Sequence, residues 1–171
     1  MDNLAAHLPQ IHMTAQLIRV CLGFAPVLIF LLILIYMDSF KLVGFFLILE
    51  VLLWGAVAAG LSYLAAGPIM DAAHMDITHY SRYLAPLVEE GFKAALLVWL
   101  FTRDRIGFMI DAAILGVAVG AGFALAENVY YAYLFSSTDI GLWMVRGLGT
   151  AIMHSGVSAV FAVTAQTLRE R

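Results

Sequence analysis

Five apolar segments of about 20 residues, joined by polar stretches, constrain this chain more than any other feature of its sequence. They cover residues 17–37, 42–64, 84–101, 108–135 and 142–168. A helix of about 20 apolar residues crosses the hydrocarbon core of a bilayer, where only helices and closed barrels satisfy all their backbone hydrogen bonds. We therefore predict an all-α fold: a polytopic transmembrane helix bundle with about five spanning helices, forming a single integral membrane domain over residues 1–171.

The composition agrees with a membrane protein and argues against other classes. Of the 171 residues, 63% are hydrophobic and only 12% are charged, and the mean hydropathy is +0.94. A soluble domain is about half apolar and a quarter charged. The net charge of -3 comes without any basic cluster, so we predict no nucleic-acid partner. The lipid bilayer is the first predicted partner, and the sequence leaves the oligomeric state open.

The basic residues of the connections predict the orientation of the bundle. The longest connection, residues 65–83, is polar and holds few basic residues. More lysines and arginines lie on the other side, and such an excess is typical of the cytoplasmic side of a membrane protein. These residues are Lys41, Arg103, Arg105, Arg169 and Arg171. The N-terminus is therefore predicted to lie outside and the C-terminus in the cytoplasm.

Ionisable residues inside three of the predicted spans point to one functional site. Such residues are costly in a membrane and indicate function by default. Counted from the outer ends of their spans, the pair Glu89 and Glu90 lies roughly 8 to 9 Å deep, Glu127 roughly 12 Å and His154 roughly 18 Å. Three helices are thus expected to bring two kinds of ionisable side chain into the outer half of the membrane.

Small residues predict that these side chains face the inside of the bundle. Gly116, Gly120 and Glu127 share one face of the fourth span, and two glycines four residues apart let another helix approach closely. A similar stripe of small residues surrounds His154 in the fifth span. Glu127 is therefore expected to point into the bundle.

The spacing in the third span predicts a division of labour between its two acids. Glu89 and Lys93 are four residues apart, which favours an ion pair on a helix. That pairing would leave Glu90 free to act as a general base towards water. With Glu127 assisting, His154 would then stabilise the oxyanion or protonate the leaving amine.

Several polar residues have ordinary structural interpretations. Asn128, which follows Glu127, is either a supporting group of the site or a hydrogen-bonding contact between helices. Glu50 has no motif around it, and we interpret it as a packing residue. Arg146 and Asp111 lie near helix ends, where a long or charged side chain ordinarily reaches the headgroups.

Taken together, the motifs resemble those of the PrsW family of intramembrane proteases. They are Glu89-Glu90-x-x-Lys93, then Gly120-x-Gly122-Phe123-Ala124-x-x-Glu127-Asn128-x-x-Tyr131, then Arg146 and His154. They lie in a catalytic core over residues 84–165. The distantly related CAAX-processing and bacteriocin-processing membrane proteases usually have Glu-Glu-x-x-x-Arg instead, with a histidine in place of the glutamate at 127.

This resemblance implies regulated proteolysis of a single-span or membrane-anchored protein, similar to an anti-sigma factor, in a bacterial or archaeal cytoplasmic membrane. It implies that Glu89 and Glu90 are essential acids and that Glu127 and His154 complete the site. Glu90, Glu127 and His154 could hold a Zn²⁺ ion, which accepts such ligands, or they could activate water directly.

Two other function classes stay open at this point. A small proton- or cation-coupled transporter also carries buried glutamate and histidine side chains. A catalytically silent scaffold could bind a single-span partner through its glycine faces. The chain has no Gly-x-Ser-x-Gly and no His-Glu-x-x-His sequence, which argues against serine and site-2-type proteases.

Overall fold

The computed structural model describes residues 18, 21–33, 35–36, 43–134 and 140–171. All regular structure in these ranges is helical, so the all-α prediction is confirmed. The helices are α1 (Cys21–Ile33), α2 (Phe45–Ala73), α3 (Ile77–His79), α4 (Ala85–Thr102), α5 (Met109–Leu134) and α6 (Ile140–Arg169), with a π-helical turn, Tyr80–Leu84, leading into α4.

Three helices in the described ranges are long and apolar enough to cross a membrane: Phe45–Ala73, Met109–Leu134 and Gly141–Arg169. They correspond to the second, fourth and fifth predicted spans. Parts of the first predicted span, 17–37, lie outside the described residues. The third corresponds to α4, whose 18 residues make about 27 Å of helix and include three charged side chains.

The second helix is longer than expected. We predicted its end at residue 64 and a loop over 65–83, but α2 continues through Pro68 to Ala73. It ends at His74, whose left-handed backbone (φ 50°) lets the N–H of Met75 bond the carbonyl of Met70 at 3.0 Å. Polar composition alone does not end a helix, whereas a left-handed residue with this hydrogen bond does.

The connection after α2 is also largely helical. The Asp76 carboxylate caps α3 by accepting the backbone N–H of His79 at 2.9 Å, and this bond holds the pKa of Asp76 below its ordinary value. The π-helical turn then joins α3 directly to α4. The expected polar loop is therefore a short helical segment.

Helix α5 forms the centre of the bundle. Almost every residue from Asp111 to Ala124 is buried, as expected for a helix that is apolar all round. Glycines bring its neighbours into backbone contact: Gly55 of α2 lies against the carbonyl of Val119, and Gly122 lies against the carbonyl of Leu52. On the other side α6 packs just as closely, while α4 makes fewer contacts with α5 or α6.

The end of the bundle where α4 leads to α5 is held by hydrogen bonds. Asp111 accepts the backbone N–H groups of Gly107 and Phe108, at 3.3 and 3.0 Å, so its carboxylate caps the start of α5. The amide of Gln166 in α6 donates to the carbonyl of Gly107 at 3.0 Å. Our interpretation of Asp111 as a residue reaching the headgroups is therefore wrong.

Candidate active site

The predicted convergence of three helices on one cluster is confirmed. The Lys93 ammonium of α4 donates to Glu90 Oε1 at 2.5 Å and lies 3.0 Å from Nδ1 of His154 on α6. On the other edge of the imidazole, His154 Nε2 lies 3.1 Å from Oε2 of Glu127 on α5. His154 is thus the centre of a continuous chain of polar contacts.

The partners of His154 decide its tautomer. An ammonium group can only donate hydrogen bonds, so Nδ1 must accept from Lys93. The proton of the neutral ring then lies on Nε2, which donates to Glu127. A carboxylate in this position fixes both the tautomer and the orientation of the ring.

Glycine makes this arrangement possible. The backbone of α5 at Gly120 lies so close to the His154 carbonyl carbon and to Ser155 Cα that a Cβ there would be 2.5 Å from each. Gly116 makes a similar contact with Ala159 one turn further along. The face predicted from Gly116, Gly120 and Glu127 therefore does pack against the histidine helix.

Lys93 is wholly buried, with 0% of its surface exposed. A buried charge persists only when it is paired and hydrogen-bonded. Glu90 supplies the opposite charge, and the Phe123 ring lies with its centre 4.4 Å from the ammonium. Phe123 also contacts the His154 ring, with centroids 4.7 Å apart, so it covers both the ammonium and the imidazole from one side.

The predicted pairing of Lys93 with Glu89 is wrong, because Lys93 pairs with Glu90. Both acids are within reach of a lysine three or four residues further along a helix. The choice is made by His154: its Nδ1 lies 4.0 Å from Glu90 Oε1 and also contacts Lys93, so these groups form one cluster. Glu89 is half-buried and makes no hydrogen bond or ion pair with any described residue.

Arg146 belongs to the cluster, although we interpreted it as a helix-end residue. Its Nη2 donates to Glu127 Oε1 at 3.3 Å, and its guanidinium carbon lies 3.4 Å from the centre of the Tyr131 ring. A count of residues would have indicated this contact, since Glu127 lies near the end of α5 and Arg146 near the start of α6. Glu127 of α5 is therefore paired with a cationic side chain, which α6 supplies.

Asn128 makes contacts between helices. It is fully buried, and its amide donates to the carbonyl of Gly23 on α1 at 2.7 Å and to Thr150 Oγ1 on α6 at 3.4 Å. These bonds join three helices beside the cluster.

Glu50, in contrast, is exposed on α2. We predicted that Glu50 is a packing residue, and its exposure contradicts this.

The described side chains do not form a metal site as they are arranged. Glu90, Glu127 and His154 carry atoms that zinc accepts, but no group of three histidine, cysteine, aspartate or glutamate side chains converges among the described residues. The Lys93 ammonium lies between Glu90 and His154, and Glu127 occupies the other ring nitrogen. A cation bound by Glu90 and His154 Nδ1 would have to displace Lys93.

The fold and the cluster define a helical integral membrane protein whose acid, base and cationic groups meet inside the bundle. The family model described as "PrsW family intramembrane metalloprotease" matches residues 44–171, which is more than half of the chain. The chain therefore belongs to the PrsW family, as its motifs indicated. No curated protein matches it, and no solved structure does. The protein is an intramembrane peptidase, and its substrate is a membrane-embedded protein.

Proposed function

We propose that the protein hydrolyses a peptide bond of a single-span or otherwise membrane-anchored protein, similar to an anti-sigma factor, with water activated by its glutamate and histidine side chains. The observation that supports this best is the position of His154, held by Glu127 at one nitrogen and by Lys93 and Glu90 at the other. An imidazole fixed in this way can move protons between a carboxylate and a reacting group.

Glu90 is the proposed general base. Its side chain is 33% exposed, whereas those of Lys93 and His154 are 1% and 2% exposed, so a reactant reaches Glu90 more readily than either of them. Oε1 of Glu90 accepts the Lys93 hydrogen bond, and Oε2 takes a proton from water. The resulting hydroxide attacks the carbonyl carbon of the scissile bond.

Lys93 and His154 serve the later part of the reaction. The Lys93 ammonium is a buried positive charge beside the base, suited to stabilise the negative oxygen of the tetrahedral intermediate. When the C–N bond breaks, the proton taken by Glu90 passes to the leaving nitrogen, directly or through His154. The products are a carboxylate and an amine, so the proton removed from water is returned.

Glu127 and Arg146 position His154. Glu127 accepts a hydrogen bond from Nε2–H, and Arg146, which precedes His154 on α6, donates to the other oxygen of Glu127. Glu89 is the other carboxylate that can act as base, because it has no partner among the described residues. The family name implies a metal, but among the described residues Lys93 lies between Glu90 and His154, so no step is assigned to a metal.

The test is cleavage of membrane-anchored substrates by the purified, reconstituted protein. Glu90→Gln, Glu127→Gln and His154→Ala should each lower kcat at least about 100-fold, the usual contribution of a positioned acid or base. Glu50→Gln is the matched control, because it removes a glutamate of α2 outside the cluster. The kcat of Glu89→Gln is compared with that of Glu90→Gln, and the larger loss identifies the general base. Wild-type rates in all the cluster variants would refute the proposal.

The proposal includes the predicted orientation, with the N-terminus outside, the C-terminus in the cytoplasm and the cluster in the outer half of the membrane. Cysteines introduced at the chain ends can be labelled from one side of sealed vesicles. If the C-terminal cysteine is labelled from outside intact cells, the predicted orientation is wrong. The proposed chemistry would not be affected by that result.

A further inference from the structure

A groove between α4 and α6 begins at the cluster. Its volume is about 240 Å³. Glu90 lies at one end of the groove, and its Oε1 is 4.0 Å from Nδ1 of His154. The rest of the lining is Gly91, Ala94 and Leu97 of α4, and Val157, Ser158 and Phe161 of α6.

The groove is open on the flank of the bundle. A Cβ added at Gly91 would meet nothing within 4 Å, and Val157 and Phe161 are 45% and 38% exposed. In a membrane spanned by α6, which is long and apolar enough to cross it, this flank would face lipid tails. A segment lying in the bilayer can therefore reach Glu90 without crossing the bundle.

The surface of the groove is apolar, although Ser158 belongs to its lining. Only 1% of Ser158 is exposed, and its hydroxyl is buried with no hydrogen-bond partner among the described residues. The hydroxyl therefore does not reach into the groove, which offers an apolar surface to a ligand.

We propose that this groove binds the apolar side chain next to the scissile bond, and that the substrate enters sideways from the bilayer between α4 and α6. This inference rests on the proposed function. An apolar cavity of about 150 Å³ accommodates benzene, so the groove accepts a side chain as large as leucine or phenylalanine. Its apolar lining disfavours a charged side chain.

The dimensions also fit a short piece of main chain. From Glu90 to Leu97 the α4 wall is roughly 10 Å long, which matches about three extended residues. A substrate helix must unwind locally before its peptide bond can be attacked, and unwinding exposes carbonyl and N–H groups. The groove holds these residues beside Glu90.

The test uses single-span peptides of about 20 leucines and alanines, each with one benzophenone side chain at a different depth, reconstituted in vesicles with the full chain. After illumination, mass spectrometry maps the crosslinks. We expect them on the two walls of the groove, for peptides whose probe lies at the depth of Glu90. Crosslinks concentrated instead on the exposed face of α2 would overturn the inference, and this readout needs no variant.

Matched variants sharpen the test. Ala94→Phe fills the groove and should reduce the crosslinks at least tenfold, whereas Ala95→Phe, at the adjacent exposed position of α4, should leave them unchanged. A thermal unfolding curve for each variant shows that it is folded. Equal crosslinking in Ala94→Phe and Ala95→Phe would also overturn the inference.

Cleavage separates this inference from the proposed function. Groove crosslinks without cleavage of any peptide support the groove and count against the peptidase chemistry. Cleavage that Ala94→Phe leaves unchanged, with crosslinks elsewhere, counts against the groove alone. Where a peptide is cut, replacing its leucine at the bound position by aspartate should slow cleavage at least tenfold, and an unchanged rate would contradict the proposed specificity.

Discussion

Replacing Gly120 by alanine should separate α5 from α6 at the position where the cluster depends on their contact. The added Cβ would be 2.5 Å from Ser155 Cα and from the His154 carbonyl carbon. Carbon atoms in ordinary contact are about 3.5 Å apart, so α6 must move by about 1 Å. Both opposing atoms belong to the backbone, and neither can rotate away as the end of a side chain could.

The displacement acts directly on the histidine. Moving His154 by about 1 Å would stretch its 3.1 Å contact with Glu127 beyond hydrogen-bond range. A misplacement of that size costs about 100-fold in rate, equivalent to about 2.7 kcal/mol in the activation barrier. Overpacking should also lower the free energy of unfolding by about 1–3 kcal/mol.

Gly156→Ala is the matched control. Gly156 lies on α6 close to His154, and a Cβ there meets nothing within 4 Å. Both substitutions gain the same helix propensity, up to about 1 kcal/mol, so their difference isolates the clash. Cleavage rate and unfolding temperature are measured for both in the same detergent. If Gly120→Ala matches Gly156→Ala in both, the close contact at Gly120 does not position the site.

Three further predictions concern the surroundings of the cluster. Arg146→Met should lower kcat about tenfold or more with KM little changed, and Arg146→Lys should recover part of the loss because it keeps a cation near Glu127. An equal loss in both would refute a role for the charge. Extraction with a chelator, checked by metal analysis, should leave the cleavage rate unchanged, and activity lost and then restored by zinc would show that the cluster rearranges around an ion. Asp111→Ala removes the cap of α5 and should cost about 1 kcal/mol in unfolding free energy, with kcat of the folded protein unchanged; an unaltered unfolding temperature would refute the capping role.

The position of Lys93 bears on how such a site works at membrane depth. Its ammonium is close to both a carboxylate and an imidazole, as a metal ion would be, but it is covalently part of the chain. The charge of Glu90 is thereby balanced without an exogenous cation. Lys93→Met would leave Glu90 and His154 adjacent without that balance, so this lysine is as informative a position for metal-binding experiments as the acids themselves.

Much of the site follows from the sequence because a helix has a fixed rise and period. Counting residues along the predicted spans placed Glu90, Glu127 and His154 at similar levels of the bundle, and the glycines on the α5 face indicated which side packs. The same regularity explains why the all-α fold was predictable from apolar segments alone. The end of α2 was not predictable in this way, because it depends on the left-handed conformation of His74 and not on polarity.

The sequence by itself therefore determined the helical class, the family motifs and the convergence of the ionisable groups on one cluster. Only the tertiary structure decided which groups pair there. Lys93 can reach either acid along its own helix, and its choice of Glu90 depends on His154 from α6. Arg146 bonds Glu127, and Asn128 bonds Gly23, across helix boundaries. Spacing along a chain fixes the direction of a side chain on its helix, but the neighbour it meets is fixed by how the helices pack.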